Sequence, residues 1–159
     1  MKYIKEYEKM SDETLFIKTS IKYFFKNVKE IIEYVFNDSN TTVVCNTDGN
    51  HITFGYYSSN VVLPFINIDI NYTYGLKNGD YRLSKFIVYY KLVFETKHHD
   101  KTKKFSDWFM SIAIKLVETY ESDYYNYKYV YTIDNFKNII NDLTIDNYKF
   151  HENINKYNL

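Results

Sequence analysis

Between residues 17 and 35 the apolar positions Ile17, Ile21, Phe24, Val28, Ile31 and Val35 recur at intervals of 4, 3, 4, 3 and 4. That is the period of one helical stripe about five turns long. Phe25, Ile32 and Phe36 widen it beyond a coiled-coil seam, which predicts a helix lying on a sheet of its own domain. Ser11-Asp12-Glu13 supplies a start signal, a capping hydroxyl followed by two carboxylates where the helix dipole favours negative charge. On this reading residues 1–10 are frayed, and the polar residues 37–40 close the helix. Phe16, Tyr23 and Tyr34 fall away from the stripe and are expected to face outward as interface anchors. Lys18, Lys22, Lys26 and Lys29 form a row beside it. The row reads either as a binding face or as a solvated one with Lys26/Glu30 and Lys29/Glu33 pairs.

The period then changes to two. Residues 41–47 are mostly β-branched, Asp48-Gly49-Asn50 is a hairpin signal, and residues 51–58 resume as a second strand before the turn at residues 58–60. After Pro64, Ile66, Ile68, Ile70, Tyr72 and Tyr74 alternate with Asn67, Asp69, Asn71 and Thr73, so this strand has one apolar and one wet face. A turn at residues 75–79 leads to the longest expected strand, residues 81–97, with Phe86, Val88, Tyr90, Leu92 and Phe94 on one face. Residues 98–104 read as a polar loop, and Ser106-Asp107 caps a second helix carrying Phe109, Ile112, Ala113, Leu116 and Tyr120. Residues 124–132 alternate as a fifth strand, and Asp134 opens a short third helix through Ile139, Ile140 and Leu143. Residues 153–159 lack apolar periodicity and are expected to fray. The sum is an α+β fold in one domain, residues 1–159. It has a four-stranded antiparallel meander plus a fifth strand, packed by a long N-terminal helix and a second helix, with a short third helix near the C-terminus.

Composition narrows the functional classes. Lys and Arg (20) balance Asp and Glu (20), and arginine occurs once, at Arg82, against 19 lysines. Sequence-specific duplex readout, which favours the bidentate guanidinium, is therefore not expected. No apolar run has the length of a signal peptide or a membrane span, and Cys45 is alone, so a cytoplasmic, reduced protein is expected, with no membrane partner. Asn, Ile, Lys, Phe and Tyr dominate the chain, the residue usage of an AT-rich genome.

Catalytic signatures are thin. Glu95, His98, His99 and Asp100 cluster in sequence, but a zinc site needs about four ligands converging from separate segments, and adjacent residues on an extended chain point apart. Cys45 follows two valines in a strand and reads as a core thiol. There is no Gly-x-Ser-x-Gly elbow, and Gly49, Gly55, Gly75 and Gly79 are dispersed rather than gathered in a phosphate loop. No enzyme activity, metal or cofactor is expected.

Binding is the remaining class. Residues 81–105 hold seven basic side chains against Glu95 and Asp100, whereas residues 106–159 hold five against eight acids, so overall neutrality conceals a polar charge distribution. Residues 120–131 contain six tyrosines among polar groups, a mixture that offers rigid contact area at low entropic cost. The expected partner surface is Tyr124, Tyr125, Tyr127 and Tyr129 as anchors with Lys101, Lys103 and Lys104 steering association. The expected function is a non-enzymatic inhibitor of phage or mobile-element origin. It would bind a larger host protein, a defence nuclease, in the manner of anti-CRISPR proteins. A single-stranded nucleic-acid or RNA binder using tyrosine stacking and lysines is the alternative, and a viral modulator of a eukaryotic immune protein is the second. A monomer and a homodimer are both compatible with the broad helical stripe.

Overall fold

Among the described residues ten elements follow one another: α1 (Lys2–Phe36), β1 (Val43–Asp48), β2 (His51–Ser58), β3 (Val61–Lys77), β4 (Asp80–Leu92), α2 (Asp100–Ala113), β5 (Thr119–Asp123), β6 (Asn126–Thr132), α3 (Ile133–Asp142) and α4 (Ile145–Tyr157). They come from a computed structural model that describes residues 2–37, 42–58, 60–93 and 100–157. The fold is α+β. Its six strands form one antiparallel sheet in the order β1-β2-β3-β4-β6-β5, so four neighbours form a meander and the last two join as a hairpin in reversed order.

The meander follows the alternation directly. Ile66, Ile68 and Ile70 are fully buried on one face of β3, while Asp69 and Asn71 are exposed on the other. The helices cover the apolar face, and the core forms between the layers. Phe136 of α3 stacks on Phe86 of β4 at 4.1 Å and on Phe24 of α1 at 5.6 Å, and Phe109 of α2 stacks on Tyr90 at 4.6 Å. A bulge interrupts the β2–β3 ladder: Phe54 pairs with Ile66 and Gly55 with Pro64, which leaves Phe65 unpaired with β2 and turned into the core. Gly55 is required there, because a Cβ would stand 2.9 Å from both the Leu63 carbonyl oxygen and Val62 Cγ1. Pro64 sits at this irregularity, where a missing N–H is tolerated.

Several expectations change. α1 runs from Lys2, so Ser11 lies inside the helix and residues 2–10 continue it. β3, not β4, is the longest strand, and Phe94, Lys97, His98 and His99 lie outside the described residues. α2 begins at Asp100, ahead of the expected cap at Ser106, and ends at Ala113; Tyr120 belongs to strand β5 instead. The sheet has six strands rather than five, and a fourth helix carries the chain past Asn153 to Tyr157. Its first turn is held by Thr144, whose hydroxyl accepts from the Asn147 backbone N–H at 3.1 Å. α3 follows β6 without a loop, because Thr132 ends the strand and caps the helix, accepting from the Asn135 N–H at 3.2 Å.

The outward aromatics of α1 are also corrected. Phe16 meets Phe86 edge-on at 6.2 Å with Lys137 over its ring, and Tyr34 packs on Tyr148 at 6.0 Å. α1 is therefore covered on its flank as well as its base, since α3 and α4 lie beside it. Asn27 fixes that contact by donating to the Ile140 carbonyl at 3.1 Å. Only Tyr23 of the three, 51% exposed, faces out.

Three buried hydroxyls, those of Thr102 and Ser106 on α2 and of Tyr90 on β4, lack a well-formed hydrogen bond. Burial pushes the Tyr90 phenol up, and the adjacent Ser106 hydroxyl offsets a little of that rise. A desolvated hydroxyl with no partner is a cost, so Thr102→Val is expected to be neutral or to stabilise by up to about 1 kcal/mol. Urea unfolding of the variant beside the wild type checks this; a loss above about 1 kcal/mol would mean the hydroxyl is paired.

Candidate partner-binding surface

The β5–β6 hairpin is built by alternation. Tyr127, Tyr129 and Tyr131 point to the helix side of the sheet, while Lys128, Val130 and Thr132 oppose Tyr89, Ile87 and Lys85 on the open side. Depth increases along the strand from the turn. Tyr127 is half-buried, and Tyr129 and Tyr131 are 1% exposed, with the Tyr131 hydroxyl donating to the Ala113 carbonyl at 2.6 Å. Tyr129 lies 5.2 Å from Tyr120 and 6.4 Å from Tyr131, inside a row of rings. Burial first, and neighbouring phenols second, push the Tyr127 and Tyr129 phenols up. Tyr129, expected as an anchor, is thus a core residue beyond the reach of a partner, and Tyr127 offers one side at most.

The tip of the hairpin is different. Asp123 pairs with Asn126, which leaves Tyr124 and Tyr125 as a two-residue connection, and both have positive φ, 43° and 63°. Two-residue hairpins of this kind strongly favour Asn-Gly, because a side chain with a bulky Cβ substituent crowds the backbone in the left-handed region. Each such residue costs on the order of 1–3 kcal/mol and persists only where its surroundings enforce it. Here the Tyr125 carbonyl accepts from the Leu92 N–H at 2.9 Å, the Tyr124 carbonyl accepts from Asn126 Nδ2 at 3.3 Å, and the Tyr125 ring packs against the core. Tyr124 is left 90% exposed. Neither central residue is glycine, asparagine or proline, so the turn is not announced and the expected fifth strand, residues 124–132, begins inside it.

The lysines divide. Lys103 and Lys104 are exposed on α2, whereas Lys101 is half-buried and engaged in further contacts. Lys104 lines a cleft of about 650 Å³ with Tyr34, Tyr148, His151 and Glu152, and Tyr124 does not line it. Tyr124 and the α2 lysines therefore share an end of the sheet, since the Leu92–Tyr125 bond lies just before the connection into α2, but they do not form one pocket.

The open face of the sheet carries a polar row that sequence reasoning passed over. Asp48, His51, Asp69, Tyr89, Lys128 and Glu121 are successive register partners across all six strands. His51 Nδ1 lies 2.7 Å from Asp69 Oδ1 and its Nε2 lies 2.7 Å from Thr53 Oγ1, so both ring nitrogens are engaged. The signal was present in the alternation of residues 51–53 and 67–71, but only the register brings His51 to Asp69. A concavity of about 770 Å³ runs along this face, lined by Lys91 and Lys128 against Asp69, Glu121 and Asp123. That balance does not favour a polyanion; Tyr129 and Tyr131 face the helix side, and Tyr89 and one side of Tyr127 line the concavity.

Among the described residues no group of three or more His, Cys, Asp or Glu side chains is placed to hold a metal ion, and no helix is long and apolar enough to cross a membrane. Cys45 sits half-buried on β1 with its sulfur 3.8 Å from Thr47 Oγ1. No protein-family model matches the chain, and neither the curated proteins nor the solved structures hold a match to it.

Proposed function

We propose that the chain is a non-catalytic protein-binding domain whose principal anchor is Tyr124. The observation that carries this reading is the strained Tyr124–Tyr125 turn: a 90%-exposed aromatic held where asparagine or glycine would be free of strain. An exposed tyrosine gains nothing for stability by sitting there. A tyrosine does supply broad, rigid, amphipathic contact area, the property of interface anchors. Exposed Lys103 and Lys104 at the same end of the sheet supply charge for steering.

The finer reading is an inhibitor of phage or mobile-element origin that occludes a larger host protein, a defence nuclease. The AT-rich residue usage and the lack of a catalytic signature support it. Its test is a plasmid-interference assay in cells that express such a nuclease, with and without this chain.

Tyr124→Asn separates the anchor from the scaffold. The substitution relieves backbone strain and removes no buried contact, so stability should rise by about 1 kcal/mol, or about 2–4 °C in Tm. Protection in the interference assay, and retention of the nuclease by the tagged chain, should fall at least about tenfold, as for a hot-spot aromatic. A variant that is more stable and still protects would remove Tyr124 from the mechanism. Lys103→Glu with Lys104→Glu should instead slow association and flatten its salt dependence.

A further inference from the structure

α1 is packed along one flank by α3 and α4, and its opposite flank faces the β1–β2 turn. Between α1 and that turn runs a groove of about 550 Å³, edged by Lys18, Lys22, Lys26 and Lys29. Its floor, Ile21, Phe25 and Ile52, is already 3%, 4% and 1% exposed, so an apolar occupant would gain almost nothing there. What the groove offers is charge. The four ammonium groups are exposed, and at 1.5 Å per residue their attachment points span about 16.5 Å along the helix.

Two exposed carboxylates, Glu30 and Glu33, stand one turn beyond Lys26 and Lys29 on the same helix, against four ammonium groups. Glu33 approaches Lys29 at 3.9 Å with both side chains at least half exposed, a contact worth little in water. Instead of a close ion pair, Lys26 stands 6.0 Å from the centre of the Tyr23 ring, which is 51% exposed. The far wall, Thr47, Gly49 and Asn50, is uncharged, and Asp48, as the register partner of His51, belongs to the other face of the sheet.

We propose that this flank of α1 is a track for single-stranded nucleic acid, held through consecutive phosphates by Lys18, Lys22, Lys26 and Lys29. A row of lysines acts as point charges and needs no fixed geometry from the phosphates, which suits a flexible strand. The row runs along one helix and is walled on one side by the β1–β2 turn, so a flexible strand can lie along it. Tyr23, beside Lys26, supplies an exposed ring for a base. No arginine lies on the flank, so binding is tolerant of sequence. The track is separate from Tyr124, and its test is independent of the protein partner.

The experiment is a fluorescence-anisotropy titration of the full chain with labelled oligo(dT) and oligo(U) at about 50 and 200 mM salt. Micromolar binding at the lower salt is expected, with log K falling against log salt at a slope of about −2 to −3, the value for three to four phosphates. Combined Lys18→Ala, Lys22→Ala, Lys26→Ala and Lys29→Ala should weaken binding at least about tenfold and bring the slope toward zero, while Lys103→Ala with Lys104→Ala should not. If the alanine variant fails to fold by circular dichroism, the four glutamine replacements serve in its place. No binding at the lower salt, or a fourfold variant that binds as the wild type, overturns the proposal. So does displacement of the probe by polyglutamate as readily as by unlabelled oligo(dT), since the track would then serve acidic protein.

Discussion

Phe136→Ala is expected to destabilise the protein by about 3–5 kcal/mol, the range for emptying a fully buried aromatic site. Phe136 has no exposed surface and touches three elements besides its own. It stacks on Phe86 of β4 at 4.1 Å and on Phe24 of α1 at 5.6 Å, and meets Tyr131 of β6 at 6.1 Å, while belonging to α3 itself. Because these groups are anchored in separate helices and strands, they cannot all move to fill the space, so the cavity term adds to the lost transfer energy. Against a total stability of about 5–15 kcal/mol for a domain of this size, the variant should unfold at much lower urea or fail to accumulate. Phe150→Ala, at a site 66% exposed, should change the midpoint little. A small effect at Phe136 would mean that α3 is not seated over the centre of the sheet.

The second large effect is alkaline. Burial favours the neutral phenol, and it pushes the Tyr148 hydroxyl up to about 12, with Glu152 and Tyr34 adding to the rise. Burial drives Tyr90, Tyr129 and Tyr131 higher still. In the unfolded chain these phenols ionise near 10. The native state binds their protons more tightly, so the stability they contribute is intact below pH 10 and is lost progressively above it. Chemical denaturation at a series of pH values should therefore show stability falling steeply from pH 10 to 12. Tyrosinate absorbance should continue to grow as the chain unfolds and releases the buried phenols. Tyr131→Phe should reduce the steepness, at the cost of leaving the Ala113 carbonyl without its 2.6 Å donor. Equal stability at pH 9 and pH 12 would place these rings in water.

How much of this was legible depends on whether a residue's role is local. Ile66, Ile68 and Ile70 announce a one-sided strand because their period is short-range, and the β1–β2 turn is announced by Gly49, whose φ is +56°. The stripe from Ile17 to Val35 is legible for the same reason. Tyr124 and Tyr125 are illegible because they occupy a turn that local preference argues against. The length of α2 misleads because Thr102 and Ser106, polar residues that read as loop and cap, are 0% and 1% exposed. Phe16 and Tyr34 mislead because their cover comes from far along the chain, Phe86 and Lys137 for Phe16 and Tyr148 for Tyr34. Of the expected anchors, Tyr124 stays available and Tyr129 does not, a distinction set by the pairing of Ser122 with Tyr127 and Tyr120 with Tyr129.

The order β1-β2-β3-β4-β6-β5 also has a temporal side. During synthesis the first four strands are complete once Leu92 has been made, but the partner of β4 ends at Thr132. At roughly 5–20 residues per second, those 40 residues take on the order of 2–8 s. Throughout that interval β4 is a bare edge rather than an interior strand, and Phe86 lacks the cover of Phe136 from α3. The nascent chain therefore passes through a stage open to strand pairing with other chains, which the finished molecule outgrows by placing the short, charged β5 at its border.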